Sequence, residues 1–306
     1  MPFRGGSDAS CMLILRHVHY AHLAGSPSVH LRCASRNRTR DYPMRFILPF
    51  VGIGMTCLPS IVVAQGAPPS DAPHGQVALG AGVAPEYDGA SDVRLIPFVL
   101  ADVRWQGISF EFRGLRGRAD LASDPRFAIG PVIGARLIRS DADGPVGLLP
   151  EIDTAIEAGA FIGYRFGGDR FGQGSLQLDI TAVHDVSRTH NGLLATASAS
   201  YAAVRKPDTF VTVDVQTTWA NADYSRTYFG ISAADAVRSG LTPYRPGAGM
   251  RDVGAGLSAG HYFNRHLGVI ARAGATYLIG DVADSPVTDQ GGRWQPLGGV
   301  TLSYRF

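Results

Sequence analysis

Cysteine is nearly absent from this 306-residue chain: there are three, Cys11, Cys33 and Cys57, and all fall in its first fifth. Beyond Cys57 no disulfide, thiolate metal site or cysteine nucleophile can be built. Lysine is scarcer still, with Lys206 the single example. Seven arginines but only Asp8 and Asp41 lie in residues 1–64, so the remainder carries a small net negative charge although the whole chain counts +2. No basic patch is left for a nucleic acid, and that partner class drops out. Missing too are any run of 18 apolar residues and any helical periodicity of useful length, which excludes a helical membrane protein.

Alternation fills the space left by these absences. Trp294, Pro296, Gly298, Val300, Leu302, Tyr304 and Phe306 fall on one face of the last segment, with Gln295, Leu297, Gly299, Thr301, Ser303 and Arg305 on the other. That period of two describes a strand with an apolar side and a small or polar side, ending on an aromatic residue at the terminal carboxylate. Such a strand suits a membrane barrel, greasy outward and polar inward. The pattern recurs at Val77–Val83, Leu95–Trp105, Ile108–Phe112, Phe127–Ile138 and Ala155–Phe166. It continues at Leu176–Ala182, Leu193–Tyr201, Val211–Trp219, Val253–Ala259 and Leu267–Ile279. Leu115–Ala122 is the weakest segment, interrupted by Arg116, Arg118 and Asp120.

Counting that segment, the sequence predicts an all-β fold: a transmembrane antiparallel up-and-down β-barrel of twelve strands, or ten if it is dropped with a neighbour. A soluble β-sandwich uses similar alternation, but it explains neither the terminal aromatic nor the lumen-like Gly, Thr, Ser and Asp opposite the apolar stripes.

The first 64 residues read as outside the fold. Met44 and Arg45 precede a short apolar run, and Val62-Val63-Ala64 supplies the small residues of a signal-peptidase site, so residues 44–64 read as a signal peptide cut before Gln65. Residues 1–43 form a basic leader or reflect a start at Met44. Residues 65–75 are a flexible periplasmic lead-in, and 76–306 the barrel. Short connections at Arg205–Thr209 and Asn264–His266 suit the periplasmic side. The longer Ser140–Thr154, Asp223–Met250 and Asp281–Arg293 suit the outside.

Three groups of residues are candidates for function. Asp102, Arg104, Asp179, Asp214, Arg272 and Arg305 have inward parity, and either tune a pore or pair with one another to plug it. Tyr224, Tyr228, Phe229 and Tyr244 in the longest loop offer aromatic area for an outside partner, for a constriction or for a cap. His184, Asp185, Ser187 and His190 cluster at one strand end, where a His/Asp/Ser set could hydrolyse a substrate. Neighbours on a strand point to opposite faces, so the simpler reading is a polar loop closure, and a third metal ligand is lacking. No cofactor is implied.

Asn221-Ala222-Asp223-Tyr224, Tyr228-Phe229-Gly230-Ile231, Ser239-Gly240-Leu241, Tyr244, Pro246-Gly247-Ala248-Gly249 and Asp252, followed by Gly280, Asp281 to Pro286 and Tyr304-Arg305-Phe306, together resemble the MipA/OmpV family. The resemblance implies a Gram-negative outer-membrane barrel without enzymatic activity. It further implies a cell-envelope scaffold that brings a lytic transglycosylase together with a peptidoglycan synthase. Tyr304 and Phe306 would present the last strand to the barrel-assembly machinery. A narrow diffusion channel for small solutes is the alternative, and a barrel-rim hydrolase the third reading.

Overall fold

The computed structural model describes residues 72–140 and 142–306. The leader, the signal segment and most of the lead-in lie outside the described residues.

Twelve antiparallel strands close into a barrel in chain order, each bonded to its sequence neighbours and β1 to β12. They are β1 (His74–Pro85), β2 (Val93–Trp105), β3 (Ile108–Arg113), β4 (Arg116–Asp120), β5 (Phe127–Arg136) and β6 (Ala155–Phe166). β7 (Leu176–Asp185), β8 (Leu193–Arg205), β9 (Thr209–Ala220), β10 (Gly249–Tyr262), β11 (Leu267–Leu278) and β12 (Trp294–Arg305) follow. The first strand starts at His74, so the wall takes in the last two residues assigned to the lead-in. Gly75 and Phe306 exchange both backbone hydrogen bonds, at 3.1 and 3.0 Å, and this pair joins the start of β1 to the residue that follows β12.

The alternation has its cause in the solvent on each side. Leu79, Leu95, Ile133, Ile180, Val300 and Leu302 stand exposed on the outer face, where lipid rather than water is the compatible medium. Tyr277 and Trp294 pair their rings, with centroids 5.0 Å apart, where the long loops emerge, and Tyr304 and Phe306 stack at the other end. These are the aromatic belts of a membrane-spanning barrel.

Turn chemistry separates the two ends. Gln106 and Gly107, both at positive φ, make the two-residue turn between β2 and β3, as a tight hairpin requires. Gly114, at φ 63°, opens a second two-residue turn with Leu115 and reverses the chain after only six residues of β3. The five-residue β4 follows. Its interrupting charges are its lumen face: Arg116, Arg118 and Asp120 all line the interior. At Met250–Asp252 the register of β10 against β9 shifts by one residue. This bulge lets Arg251 and Asp252, adjacent in sequence, both turn inward.

The long loops contain helices that periodicity alone did not reveal: α1 (Ala222–Phe229), α2 (Ala233–Ser239) and α3 (Pro286–Gln290). Each is short but capped. Asn221, Ser232 and Ser285 accept hydrogen bonds from the first-turn amides of α1, α2 and α3, and Gly240 ends α2 in the left-handed conformation. Caps of this kind satisfy donors and acceptors that would otherwise be orphaned at helix ends.

Candidate functional site

The interior holds a cavity of about 1190 Å³. Its lining runs from His74, Arg205, Arg305 and Phe306 at the short-turn end to Tyr87, Asp88, Arg136 and Tyr228 at the long-loop end. There it stops beneath a lid of two layers. The inner layer is α1, whose Tyr224, Tyr228 and Phe229 pack against Phe161, Val183, Leu194 and Leu278 of the wall. The outer layer joins three loops through Val146, Leu149, Ile231, Leu241 and Val287. None of those five residues lines the cavity, so the lid's outer core lies beyond its ceiling. Each fully buried aromatic side chain contributes roughly 1.5–3 kcal/mol of burial free energy. Ser285 Oγ donates to the Phe229 carbonyl at 2.7 Å, and Tyr244 Oη to the Asp281 carbonyl at 2.8 Å, tying the loops together.

Beneath the lid one carboxylate gathers four segments. Asp88, in the β1–β2 loop, accepts from Arg136 of β5 at 2.9 Å, from Arg251 of β10 at 2.9 Å and from the Tyr224 hydroxyl of α1. Burial opposes its ionisation, but the two guanidiniums and the phenol outweigh that and lower its pKa to about 2. The Arg136 guanidinium lies 5.0 Å from the Tyr224 ring centre and that of Arg251 5.3 Å, a cation–π contact from each. Burial next to Asp88 holds the Tyr224 hydroxyl neutral, with its pKa well above the usual phenol value. Glu157 of β6 extends the network. It takes Arg136 Nε at 2.9 Å and Arg116 at 3.2 Å, with His190 Nε2 at 3.5 Å.

Five of the six lumen charges read from the sequence line the cavity: Asp102, Asp179, Asp214, Arg272 and Arg305. Arg104 has the same parity but is exposed at the short-turn end, and the cavity does not reach it. Asp214 and Arg272 form a bidentate pair with both contacts at 2.8 Å. Asp102 pairs instead with Arg113, and Asp179 with Arg118. Arg305 rests on the Tyr262 ring at 3.6 Å and donates to the Pro207 carbonyl. Asp88, Glu111, Arg113, Arg116, Arg118, Arg136, Glu157 and Arg251 were missed. Most of them share the inward parity that identified the six, and extending that rule along β3 to β6 would have found them.

Tyr224, Tyr228 and Phe229 are buried, so their ring area is used within the lid and gives an outside partner no surface; Tyr244 is half-buried against the outer layer. Among the hydrolase candidates, His184 is exposed on the outer face. The Asp185 carboxylate accepts from the Ser187 hydroxyl and from the amides of Ser187, His190 and Asn191. His190 is buried, and its Nδ1 accepts from the Gly192 amide. Ser187 thus gives its proton to a carboxylate occupied in closing a turn, and His190 faces Glu157 rather than Ser187. That is a loop closure, not a nucleophile and base in line.

Residues 77–306 match the family model described as MltA-interacting protein MipA. Two curated relatives, the MltA-interacting proteins of Escherichia coli K12 and Shigella flexneri, are each 26% identical over 239 residues, covering 76% of this chain and 91% of their own. Among solved structures, an outer membrane channel from Pseudomonas putida F1 aligns at 12% identity and a TM-score of 0.42, over 80% of this chain and 100% of its own. The outer membrane protein OprD of Pseudomonas aeruginosa aligns at 12% identity and a TM-score of 0.30, over 76% and 65%. Likeness at that level carries no functional weight.

Proposed function

The chain belongs to the MltA-interacting protein MipA family, and from that premise we propose that it is a non-enzymatic outer-membrane interaction protein, closed to solutes at rest. In this reading the long loops face outward and the short turns face the periplasm. Lipid covers the apolar outer face, and Tyr304 and Phe306 present the last strand to the barrel-assembly machinery. The curated relatives carry a name that states an interaction with MltA. For this chain the corresponding partners are a lytic transglycosylase and, on the same platform, a peptidoglycan synthase. They would be reached through the short turns and the residues preceding His74.

One observation carries the preference over a standing pore: the cavity ends beneath Tyr228 and Asp88, under a lid with its own apolar core. Planar-bilayer recordings on purified protein test it. Absence of steady conductance, together with co-purification of a lytic transglycosylase from solubilised envelopes, is the expected result. Steady conductance with no murein enzyme retained would overturn it in favour of a narrow diffusion channel, the reading favoured by the cavity itself. A catalytic role is not part of the proposal. Ser187→Ala and His190→Ala are expected to leave partner capture intact when the barrel folds.

A further inference from the structure

The wall is incomplete on one side, and the gap follows from the short β3–β4 hairpin. β3 and β4 have six and five residues where every other strand has ten to fourteen. Beyond the Gly114-Leu115 turn, β2 has a bonded neighbour only in β1. The last bond across that edge is Gly114 N to Val99 O at 2.8 Å, and on the far side Ala135 N donates to Leu115 O at 3.0 Å. Backbone groups of alternate residues face alternate neighbours, so Val93, Leu95 and Pro97 of β2 turn theirs into the gap, with no strand among the described residues to receive them. Pro97, lacking an N–H, sits where a proline costs the sheet least. The free β2 edge runs for roughly 20 Å beyond the hairpin, while β5 ends at Arg136, one residue past its last bond to Leu115.

An open sheet edge facing hydrocarbon leaves each polar group unsatisfied at a cost of several kcal/mol, so this window calls for water or a polar ligand. The cavity reaches it. Arg94, Ile96, Phe98, Leu115, Arg116 and Leu137 line the lumen around it, while Leu95, on the outer face of the same edge, is 77% exposed to the bilayer side. Among the described residues Arg116 is paired with Glu157 alone, and it keeps 42% of its side chain exposed. Arg94 takes no part in the ion pairs that hold Arg116, Arg136 and Arg251, and its Nε is buried without a hydrogen-bond partner among the described residues. A cation with no ion-pair partner among the described residues thus stands beside the free edge of β2.

We propose that this window is a lateral binding site for a single-chain amphiphile with an anionic head. The head sits against Arg94 and the amides of Val93 and Leu95, with Arg116 deeper along the lumen. The chain runs along Ile96, Phe98 and Leu115 and out toward the bilayer. The site is independent of the partner surfaces proposed above, which lie at the other end of the barrel.

The test uses the full protein in nanodiscs and a photoactivatable oleate. Saturable labelling near one per barrel at Ile96, Phe98 or Leu115 is expected, with affinity at least tenfold weaker in Arg94→Gln and partly restored in Arg94→Lys. Neutral oleyl alcohol should compete poorly. Arg94 has no ion-pair partner among the described residues, so Arg94→Gln should keep the gel mobility of a folded barrel and its capture of partner enzymes. Leu115→Trp, which fills the window without touching a charge, should also block labelling. Labelling confined to outward residues such as Leu79 and Leu95 would overturn the proposal. So would unchanged binding in both Arg94→Gln and Leu115→Trp, or equal competition by the alcohol.

Discussion

The two ends of the lumen carry the same kind of ion pair in different surroundings. At the short-turn end Asp102 meets Arg113, with 36% and 49% of their side chains exposed. Midway, Asp214 meets Arg272 at 15% and 27%. Under the lid Glu157 is 2% exposed, Asp88 20%, Arg136 17% and Arg251 11%, with aromatic rings across the remaining face. Water screens the first pairs and leaves them worth little. Beneath the lid the charges have already lost solvent, so removing one partner strands the others. The number of pairs is therefore a poor guide to what holds the barrel shut, and the shielding around Asp88 a good one.

The sharpest way to break that contrast is Asp88→Ala. It leaves Arg136, Arg251 and the Tyr224 hydroxyl facing an apolar methyl, and a loss of about 3 kcal/mol is expected from stranding a buried pair. Lid opening should then appear as bilayer conductance absent from the wild type, with faster proteolysis between Asn221 and Ala248. If Asp88→Ala stays silent and protected, packing of Phe229 and Leu278 alone holds the lid.

Acid tests the same node without mutation. The folded pKa of Asp88 is lowered to about 2 from the ordinary carboxylate value of 3.8. A depressed carboxylate contributes stability that is complete above its unfolded pKa and lost as pH falls through the folded one. The lid should therefore hold at pH 5 and loosen between about pH 4 and pH 2, by about 2 kcal/mol at most. Conductance against pH measures this. The Asp214–Arg272 pair, away from the lid, should not set that midpoint, so Asp214→Asn ought to leave the opening pH where it was.

A smaller effect belongs to the outer layer. Ser232 caps α2 by accepting from the Asp235 amide, and its hydroxyl also donates to the Asp235 carboxylate at 2.6 Å. Ser232→Ala is expected to cost about 1 kcal/mol, read as a modest rise in loop proteolysis with no conductance.

Much of the wall could be read from the chain because lipid outside and water inside impose a period of two that no other environment reproduces over twelve segments. Even β4 was visible once Arg116, Arg118 and Asp120 are taken as a lumen face rather than as breaks. The lid was less legible, for identifiable reasons. Tyr224 and Tyr228 stand four apart behind the cap Asn221, a helical signature, but eight residues are too few for periodicity to register. Arg251 escapes any parity rule because the bulge beside it resets the alternation, and Asp88 lies in a loop where no period applies. The Asp88 node is a product of tertiary convergence: β1–β2, β5, α1 and β10 each contribute one group, and no local pattern joins them.

The mildest perturbation is Arg272→Gln. Arg272 reaches both oxygens of Asp214 and also Ser258 Oγ at 2.9 Å, geometry that favours it above an ordinary surface pair. The lumen nonetheless leaves both side chains partly open, which keeps the net contribution near 1 kcal/mol. Asp214 would survive the substitution because water can reach its carboxylate, the recourse that the groups around Asp88 lack. In the wild-type background the variant should fold, stay silent in bilayers and keep its lid resistant to protease. In the Asp88→Ala background, where the lumen conducts, the unpaired Asp214 should shift selectivity toward cations, and reversal potentials in a salt gradient measure that shift. A lid that opened on Arg272→Gln alone would show that the half-open pairs and the buried node form one coupled network rather than two regions set apart by shielding.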